Sequence, residues 1–368
     1  MEPKETPIAV LAGKLSDPDS HARYSAALCL INPAEKGLDI SVAMPGLVHL
    51  LNDPDAKCVF MSSQAIAAYA KAGGDISIAL DQLWSIIQNR LHAPISNPLD
   101  AAARFAWKSH KYAAKNPATR GRVIARAEAA LEHPDPFFVS DTALFIAHMA
   151  RSEVDISSLE PALARVIAFE FPHLKDYESI KVNASCALAN LQDNGGCLGV
   201  SIPPLVGLFV TRLKDQAHEN AGIALKGAIK DERSRAAAVE AIVSSIQITS
   251  DTLWSCYLKP LLIYASGHGA PFDFAMIRRA LKKKLEDAEK GDPFVLGRIQ
   301  SEVVAGYMEF AEAAAMAKKP IFDGGERLEG VIRPPKMDAG SGYMFRVQAG
   351  RNPSADRPLA SRSVKGVG

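Results

Sequence analysis

The sequence NDPDAKCVFMSSQAIAAYAKAGGDIS, residues 52–77, decides the fold of this chain. It begins with a turn at Asp53-Pro54-Asp55, because proline cannot continue a helix while Asn and Asp favour turn and cap geometry. An alanine-rich segment of helix length follows, and Gly73-Gly74 ends it by allowing positive φ. We therefore predict a helix over residues 57–71, followed by a second turn at Asp75-Ile76-Ser77.

This pair of turns occurs three times in the chain. Asp17-Pro18-Asp19 precedes Asp39-Ile40-Ser41 by 22 residues, and His133-Pro134-Asp135 precedes Asp155-Ile156-Ser157 by the same 22 residues. The first turns start 36 and 80 residues apart, and 80 residues correspond to two repeats of about 40. A period near 40 that encloses a helix-length segment indicates a helical-repeat solenoid. In each Asp-Ile-Ser turn, we expect the Asp or the Ser to cap the next helix and the Ile to pack beneath it.

Two regions of the chain differ in their patterning. Residues 1–318 are predicted to form the solenoid, with clear repeats over residues 7–232 and looser helices, the last of them long, over residues 233–318. Residues 319–368 contain Gly, Pro and Arg without helical periodicity, which predicts an extended tail. The third unit has a lengthened loop at residues 92–98, which either binds a partner or is a neutral insertion. In the fourth unit, the first helix is expected over residues 123–131.

The bulk composition predicts a folded protein without a strong overall field. The chain has 368 residues, of which 48% are hydrophobic and 23% charged, and its formal net charge is +1. Global charge therefore recruits neither nucleic acid nor an anionic membrane. The five cysteines are scattered, which predicts reduced thiols in a cytoplasmic protein. Because the N-terminus is polar and no apolar run approaches 18 residues, we expect neither a signal peptide nor a membrane span.

Residues 17–28 and 53–66 resemble HEAT repeats, which are armadillo-like α-solenoids. The resemblance lies in the Asp-Pro turn, a basic or polar residue about six positions later and an Ala-Ala-Leu core. Arg23 stands where that family commonly has an arginine bonded to the turn, whereas Val59 replaces it in the second unit. The resemblance implies an all-α, right-handed superhelix of about seven to eight helical pairs, with the second helices along its concave side. It also implies a scaffold, because such solenoids mostly bind other proteins.

A band of basic residues between residues 100 and 126 is the strongest local anomaly, with seven Arg or Lys side chains against one acid, Asp100. Four of them recur at i, i+4, i+7 and i+11 and so share one helical face, and a tryptophan lies among them. The candidate partner-binding residues are Arg104, Trp107, Lys108, Lys111 and Lys115. The band is either a surface for a phosphate, a nucleic acid or an acidic partner, or a solvated helix face with Trp107 in the core.

The sequence contains no recognisable catalytic constellation, metal-ligand spacing or cofactor motif, so none of these sites is predicted. We therefore expect a non-catalytic protein-interaction module, a scaffold or accessory subunit of a larger cytoplasmic hetero-oligomeric complex, that uses the concave face and the tail. The alternative is a nucleic-acid-binding or base-modifying protein that uses the basic band. A third possibility is a lyase or isomerase that acts on a bound cofactor, as some HEAT-repeat bilin lyases do.

Overall fold

The computed structural model describes residues 7–89, 98–169, 177–210, 215–246 and 257–268, together with Leu213, Ile277, Ala280 and Lys283. This part of the chain contains α-helices and short 3-10 turns and no strands. The α-helices are α1 (Ile8–Lys14), α2 (Ser20–Glu35), α3 (Met44–Leu50), α4 (Ala56–Lys71), α5 (Leu80–Asn89), α6 (Pro98–Lys115), α7 (Pro117–Leu131), α8 (Pro136–Arg151), α9 (Glu160–Ala168), α10 (Tyr177–Asp193), α11 (Ile202–Gly207), α12 (Asp215–Lys230), α13 (Arg235–Ser245) and α14 (Lys259–Gly267). The predicted tail, the long last helix and residues 92–97 of the lengthened loop lie outside the described residues.

The helices form successive pairs in which an odd-numbered first helix precedes an even-numbered second helix. The second helices pack side by side in the order α2, α4, α6 and again in the order α8, α10, α12. The first helices contact one another in the same way from α7 to α13. Seven such pairs lie within the described ranges, so the prediction of an all-α solenoid is confirmed.

Aspartate caps start the second helices at the predicted turns. The side chains of Asp19, Asp55 and Asp135 each accept a hydrogen bond from the backbone N–H two residues later, at 3.0, 2.9 and 2.8 Å. Arg23 holds the first of these turns, because its Nη1 donates to the carbonyl oxygens of Asp17 and Pro18 at 2.8 and 2.9 Å. Its Nε and Nη2 also donate to both carboxylate oxygens of Asp53 in the next turn. One arginine therefore joins two consecutive repeats.

The expectation that the Asp or the Ser of the Asp-Ile-Ser turns caps the next helix is wrong, because a 3-10 turn intervenes and α3 and α9 begin after Ala43 and Leu159 without a side-chain cap. Asp39, Asp75 and Asp155 accept the backbone N–H of the following serine at 2.8 to 2.9 Å, at the start of a 3-10 turn. The intervening isoleucines are buried, as predicted. In the looser copy at residues 199–201, Glu160 of the preceding unit replaces the missing aspartate. Its Oε1 accepts the Gly199 and Ser201 amides and the Ser201 hydroxyl at 2.7 to 2.8 Å.

The prediction that the first helix of the fourth unit spans residues 123–131 is wrong, because α7 begins at Pro117. Asn116 caps it by accepting the Ala118 N–H, and proline is well suited to the first turn of a helix. Thr119 Oγ1 and Arg120 Nε then donate to the last carbonyl oxygens of α6. Ser234 and Arg235 make the same two bonds between α12 and α13. The chain therefore has a second type of turn, which contains no Asp-Ile-Ser.

Asparagine side chains tie α10 and α12 to the second helix before each of them. Asn183 and Asn190 of α10, and Asn194 just after its end, donate to backbone carbonyl oxygens of α8 at 2.5 to 3.1 Å. Asn220 of α12 donates to the Val182 carbonyl oxygen of α10 at 3.1 Å. In the part that the structure describes, no such amide bond joins α6 and α8, and these two helices pack less closely than their neighbours. The stack of second helices is therefore loosest between α6 and α8.

Candidate partner-binding groove

The helix α6 departs from its neighbours at a position where the other second helices carry a small residue. This position lies eight residues before the last residue of each second helix. The residues found there, from α2 to α12, are Ala27, Ser63, Trp107, Ala143, Ser185 and Gly222. Small residues let adjacent helices approach closely, whereas an indole separates them. Trp107 therefore accounts for the loose packing of α6 against α8.

The helix α6 also differs from the other second helices at a core position, five residues before the last residue of the helix. The residues at this position are Leu30, Ile66, His110, Ile146, Leu188 and Leu225. All of them are fully buried or nearly so. Burial is the main cause that lowers the pKa of His110 to about 4, and it outweighs the carbonyl oxygens of Ala106 and Leu80, which favour the protonated form. The imidazole is therefore neutral at pH 7 and replaces an aliphatic side chain.

An aromatic cluster fills the space between α5, α6 and α8. The Trp107 ring lies 4.5 Å from the ring of Phe145 and 5.6 Å from that of Trp84, measured between centroids. Trp84 also contacts His110 and Phe138 edge-on, at 5.4 and 6.1 Å. Phe138 and Phe145 are buried, whereas Trp107 keeps part of its surface in contact with solvent. Trp107 is thus both a core residue and part of the surface between α6 and α8.

A groove of about 660 Å³ lies above this cluster, and we call it the α6–α8 groove. From α6 it is lined by Asp100, Arg104, Trp107, Lys108 and Lys111, and from α8 by Asp141, Leu144, Phe145 and His148. Four of the five candidate residues therefore lie around one cavity. The fifth, Lys115, lines a separate cavity of about 360 Å³ at the C-terminal ends of α4 and α6.

In the lining of the α6–α8 groove, three cations face two carboxylates, Asp100 and Asp141. Arg104 is paired with Asp100 at 2.6 Å. Lys108 and Lys111 form no ion pair within the described ranges, and their ammonium groups lie 4.8 and 5.1 Å from the ring centroids of Phe105 and Tyr112. Burial and then the charges of Lys115 and Lys108 lower the pKa of Lys111.

On the α8 wall of the groove, burial and then the charges of Lys111 and Arg151 lower the pKa of His148, which favours the neutral imidazole. On α6, Lys111 lies close enough to Lys108 and Lys115 for these cations to repel one another. An anion bound between them would relieve that repulsion.

The arginines that follow α6 in the sequence have other roles. Arg120 donates to the Ala114 and Lys115 carbonyl oxygens and so ends α6. Arg122 and Arg126 on α7 both pair with Asp81 of α5, the former at 3.3 Å. The seven cations of the predicted band therefore do not form one surface, because three of them join α7 to the unit before it.

Residues of α8 complete the groove, and the sequence reasoning missed them. Aligned from the helix ends, Leu144 lies seven residues before the last residue of α8. The residues at this position, from α2 to α12, are Leu28, Gln64, Lys108, Leu144, Cys186 and Ile223. We call this row the second-helix face. Leu28, Leu144 and Ile223 are 45%, 41% and 48% exposed, and the alignment of helix ends is the signal that could have identified them.

A second cavity adjoins the α6–α8 groove. It has a volume of about 810 Å³, shares Asp100 and Arg104 with that groove, and extends across the N-terminal ends of α4 and α2. Tyr24, Lys57 and Phe60 are among its lining residues. A continuous depression therefore crosses the first four second helices.

Metal sites and membrane-spanning helices are missing from the described ranges. No group of three His, Cys, Asp or Glu side chains there could hold a metal ion. Cys29, Cys58, Cys186 and Cys197 are free thiols. None of the described helices is both long and apolar enough to cross a membrane.

No protein-family model matches the sequence, and no curated protein matches it either. Solved structures that it resembles include an engineered protein of the Northeast Structural Genomics Consortium, with 16% identity, a TM-score of 0.43, and coverage of 84% of this chain and 82% of that chain. Another engineered protein of the same consortium has 17% identity and a TM-score of 0.31 and covers 78% of this chain and 100% of its own. A designed armadillo repeat protein has 17% identity and a TM-score of 0.27, with coverage of 76% and 99%. At these TM-scores the likenesses carry no argument about function.

Proposed function

We propose that this chain is a non-catalytic protein-interaction module, a scaffold or accessory subunit, that binds a partner protein along the second-helix face. The observation that carries the proposal is the exposed aliphatic row of Leu28, Leu144 and Ile223. Single exposed hydrophobic residues are normal on a protein surface. Here, however, three of them occupy one helical position in three of the six second helices from α2 to α12.

The dimensions of the row suit a protein segment. Packed helices lie about 8–10 Å apart, so the five steps from α2 to α12 span roughly 40–50 Å. A partner segment that crosses the helices would meet one of these side chains at intervals along its length. Grooves between helices bind partner segments in this way, with apolar anchors that supply most of the affinity.

The nucleic-acid alternative has less support. Its basis was one basic band, but Arg122 and Arg126 pair with Asp81, and Arg120 caps α6. Among the described residues, three lysines of α6 remain without an ion pair: Lys108, Lys111 and Lys115. Three charges are few for sequence-independent binding to a phosphate backbone. The tail at residues 319–368 remains our proposed second contact with the partner, and a cytoplasmic complex without a cofactor remains the proposed setting.

Arginine substitutions on the second-helix face test this proposal. Leu144→Arg and Ile223→Arg place a charge on the face, whereas Val42→Arg and Ile78→Arg place it at exposed apolar positions of the 3-10 turns. Full-length epitope-tagged chains would be isolated from native cells and the recovered proteins quantified by mass spectrometry. We expect the amount of partner protein recovered with the first two variants to fall about tenfold, since buried anchors dominate the affinity of interfaces. The last two variants should recover as much partner as the unaltered chain. Equal recovery with all four variants, each shown by circular dichroism to be folded, would contradict the proposal.

A further inference from the structure

We propose that the α6–α8 groove binds an acidic peptide segment, with an apolar side chain of the peptide against Trp107 and Leu144 and carboxylates of the peptide at Lys108 and Lys111. This inference rests on the proposed function and specifies the chemistry of one partner segment.

The lysines of the groove favour an anionic ligand. Lys108 and Lys111 have no carboxylate partner among the described residues, and Lys111 lies close enough to Lys108 and Lys115 for their charges to destabilise its protonated form. His148 lines the same cavity, and burial together with the charges of Lys111 and Arg151 lowers its pKa. Carboxylates of a ligand would remove this repulsion and form charge-assisted hydrogen bonds. The complementary ligand is therefore anionic.

The groove also has an apolar part that favours an apolar side chain of the ligand. Leu144 is well exposed, Trp107 is part-exposed, and Phe145 is almost fully buried beneath them. An aliphatic or aromatic side chain that entered here would cover the indole and the leucine, while the lysine stems line one side. The ligand thus combines an apolar side chain with acidic neighbours, which is a property of a peptide.

The arrangement of charges in the groove favours a peptide over a nucleic acid. Three residues separate the two groove lysines, Lys108 and Lys111, on α6, which corresponds to about 5 Å of helix. That distance matches one to two residues of extended peptide, at about 3.3 Å per residue. Asp141 and Asp100 lie in the walls of the groove, and Asp55 lies in the adjoining cavity, where carboxylates would repel a continuous phosphate backbone. A peptide can place its carboxylates at Lys108 and Lys111 and its uncharged residues beside these aspartates, whereas a nucleic acid carries a charge at every nucleotide.

The test uses the full-length chain and fluorescein-labelled twelve-residue peptides. The first peptide carries six glutamates around two central leucines; in the second, glutamine replaces every glutamate, and in the third, serine replaces both leucines. A single-stranded DNA of twenty nucleotides is the fourth probe. Fluorescence anisotropy measures the affinities, and because Trp107 lines the groove, a change in tryptophan emission on binding reports where the peptide lies.

The chain offers a closely matched control for charge reversal. Lys108→Glu with Lys111→Glu removes the charge from the groove. Lys226→Glu with Lys230→Glu makes the same change on α12, where these two exposed lysines occupy the positions of Lys111 and Lys115 on α6. Circular dichroism checks that both double variants fold.

We expect the first peptide to bind at least tenfold more tightly than the second and the third, and its affinity to fall as salt rises. The groove variant should lose at least tenfold in affinity, and the α12 variant should bind like the unaltered chain. The inference is overturned if the groove variant still binds, if the DNA binds more tightly than the first peptide, or if no peptide binds. Loss of a cellular partner in Ile223→Arg would still support the proposed function in that case, because Ile223 lies on α12, outside this groove.

Discussion

The ring centroids of Trp107 and Phe145 lie 4.5 Å apart, and this contact joins α6 to α8 at the floor of the α6–α8 groove. The two helices have no asparagine bond of the kind that joins α8 to α10 within the described residues. Aromatic packing therefore replaces close helix packing at this junction. The same residue that opens the groove also holds its two walls together.

The first prediction concerns the removal of this indole. Trp107→Ser restores the small residue that α4 has at the same position, Ser63, but α8 cannot close the space without losing its other contacts. We expect a loss of about 3–5 kcal/mol in the free energy of unfolding, because truncation of a large aromatic residue leaves a cavity. Urea unfolding measures it, with Ser63→Ala as a control that costs about 1 kcal/mol through its lost hydrogen bond to Val59. An unchanged stability in Trp107→Ser would show that the cluster does not hold the junction.

Because His110 is buried and neutral, we expect the free energy of unfolding to fall in acid. The pKa of His110 is about 4 in the folded chain against 6.5 for the ordinary side chain, so the folded state binds fewer protons between these values. The free energy of unfolding is therefore retained above about pH 6.5, falls as the pH drops towards 4 and levels off below it. At pH 5 the loss from His110 alone is about 2 kcal/mol.

The variant His110→Leu, which has the residue found at this position in α2, α10 and α12, tests that loss. Urea unfolding at about pH 7.5 and pH 5 should show a smaller difference than the unaltered chain does, by about 2 kcal/mol. If the variant lost as much stability in acid as the unaltered chain, His110 would not be the group responsible.

Replacement of Glu153 by glycine is expected to stabilise the chain. Glu153 has a φ of 62°, and it lies two residues after the end of α8, where Gly73 follows α4 with a φ of 92°. An L-residue in this conformation is strained by about 1–2 kcal/mol. Glu153→Gly should therefore raise the free energy of unfolding by up to about 1 kcal/mol, less than the full strain because glycine also gains entropy in the unfolded chain.

Gly73→Ala is the reverse substitution and should destabilise the chain. A Cβ at this site meets no atom within 4 Å, so the effect reports backbone strain alone. Thermal unfolding of both variants should show shifts of opposite sign. Shifts of the same sign would contradict this account of the turn.

Replacement of Glu160 is expected to destabilise the junction between the fifth and sixth units. Glu160→Ala leaves the Gly199 and Ser201 amides and the Ser201 hydroxyl without their acceptor, which should cost about 2–3 kcal/mol. Glu160→Gln keeps an acceptor oxygen and should cost less. Hydrogen exchange at the two amides should quicken in the alanine variant, and unchanged protection there would rule out the proposed cap.

The fold was largely predictable because its signals are local. The Asp caps depend on a side chain and an amide two residues later, and Arg23 does contact the carbonyl oxygens of its own turn, as the resemblance implied. The start of α7 was missed because Asn116-Pro117 contains no Asp-Ile-Ser. The asparagine that caps this helix and the proline that opens it are local signals too, so the error came from the template that was applied.

The candidate site was only half predictable. The four candidate residues of α6 that line the groove share one helical face, and helical periodicity alone places them together. The wall formed by α8 depends on which helices become neighbours and how closely they pack, which no local pattern states. Likewise, the pairing of Arg122 and Arg126 with Asp81 joins residues about 40 positions apart, so their charges could not be separated from the band beforehand.

Photo-crosslinking in native cells tests the central claim, that the second-helix face binds a partner protein. A photoreactive benzoylphenylalanine would replace Leu28, Leu144 or Ile223 on the face, and Val42 or Ile78 away from it. All five positions are exposed, so access to solvent is matched. We predict covalent adducts with one protein from the three face positions and none from the two controls. Adducts from Val42 or Ile78 with none from the face would contradict the claim.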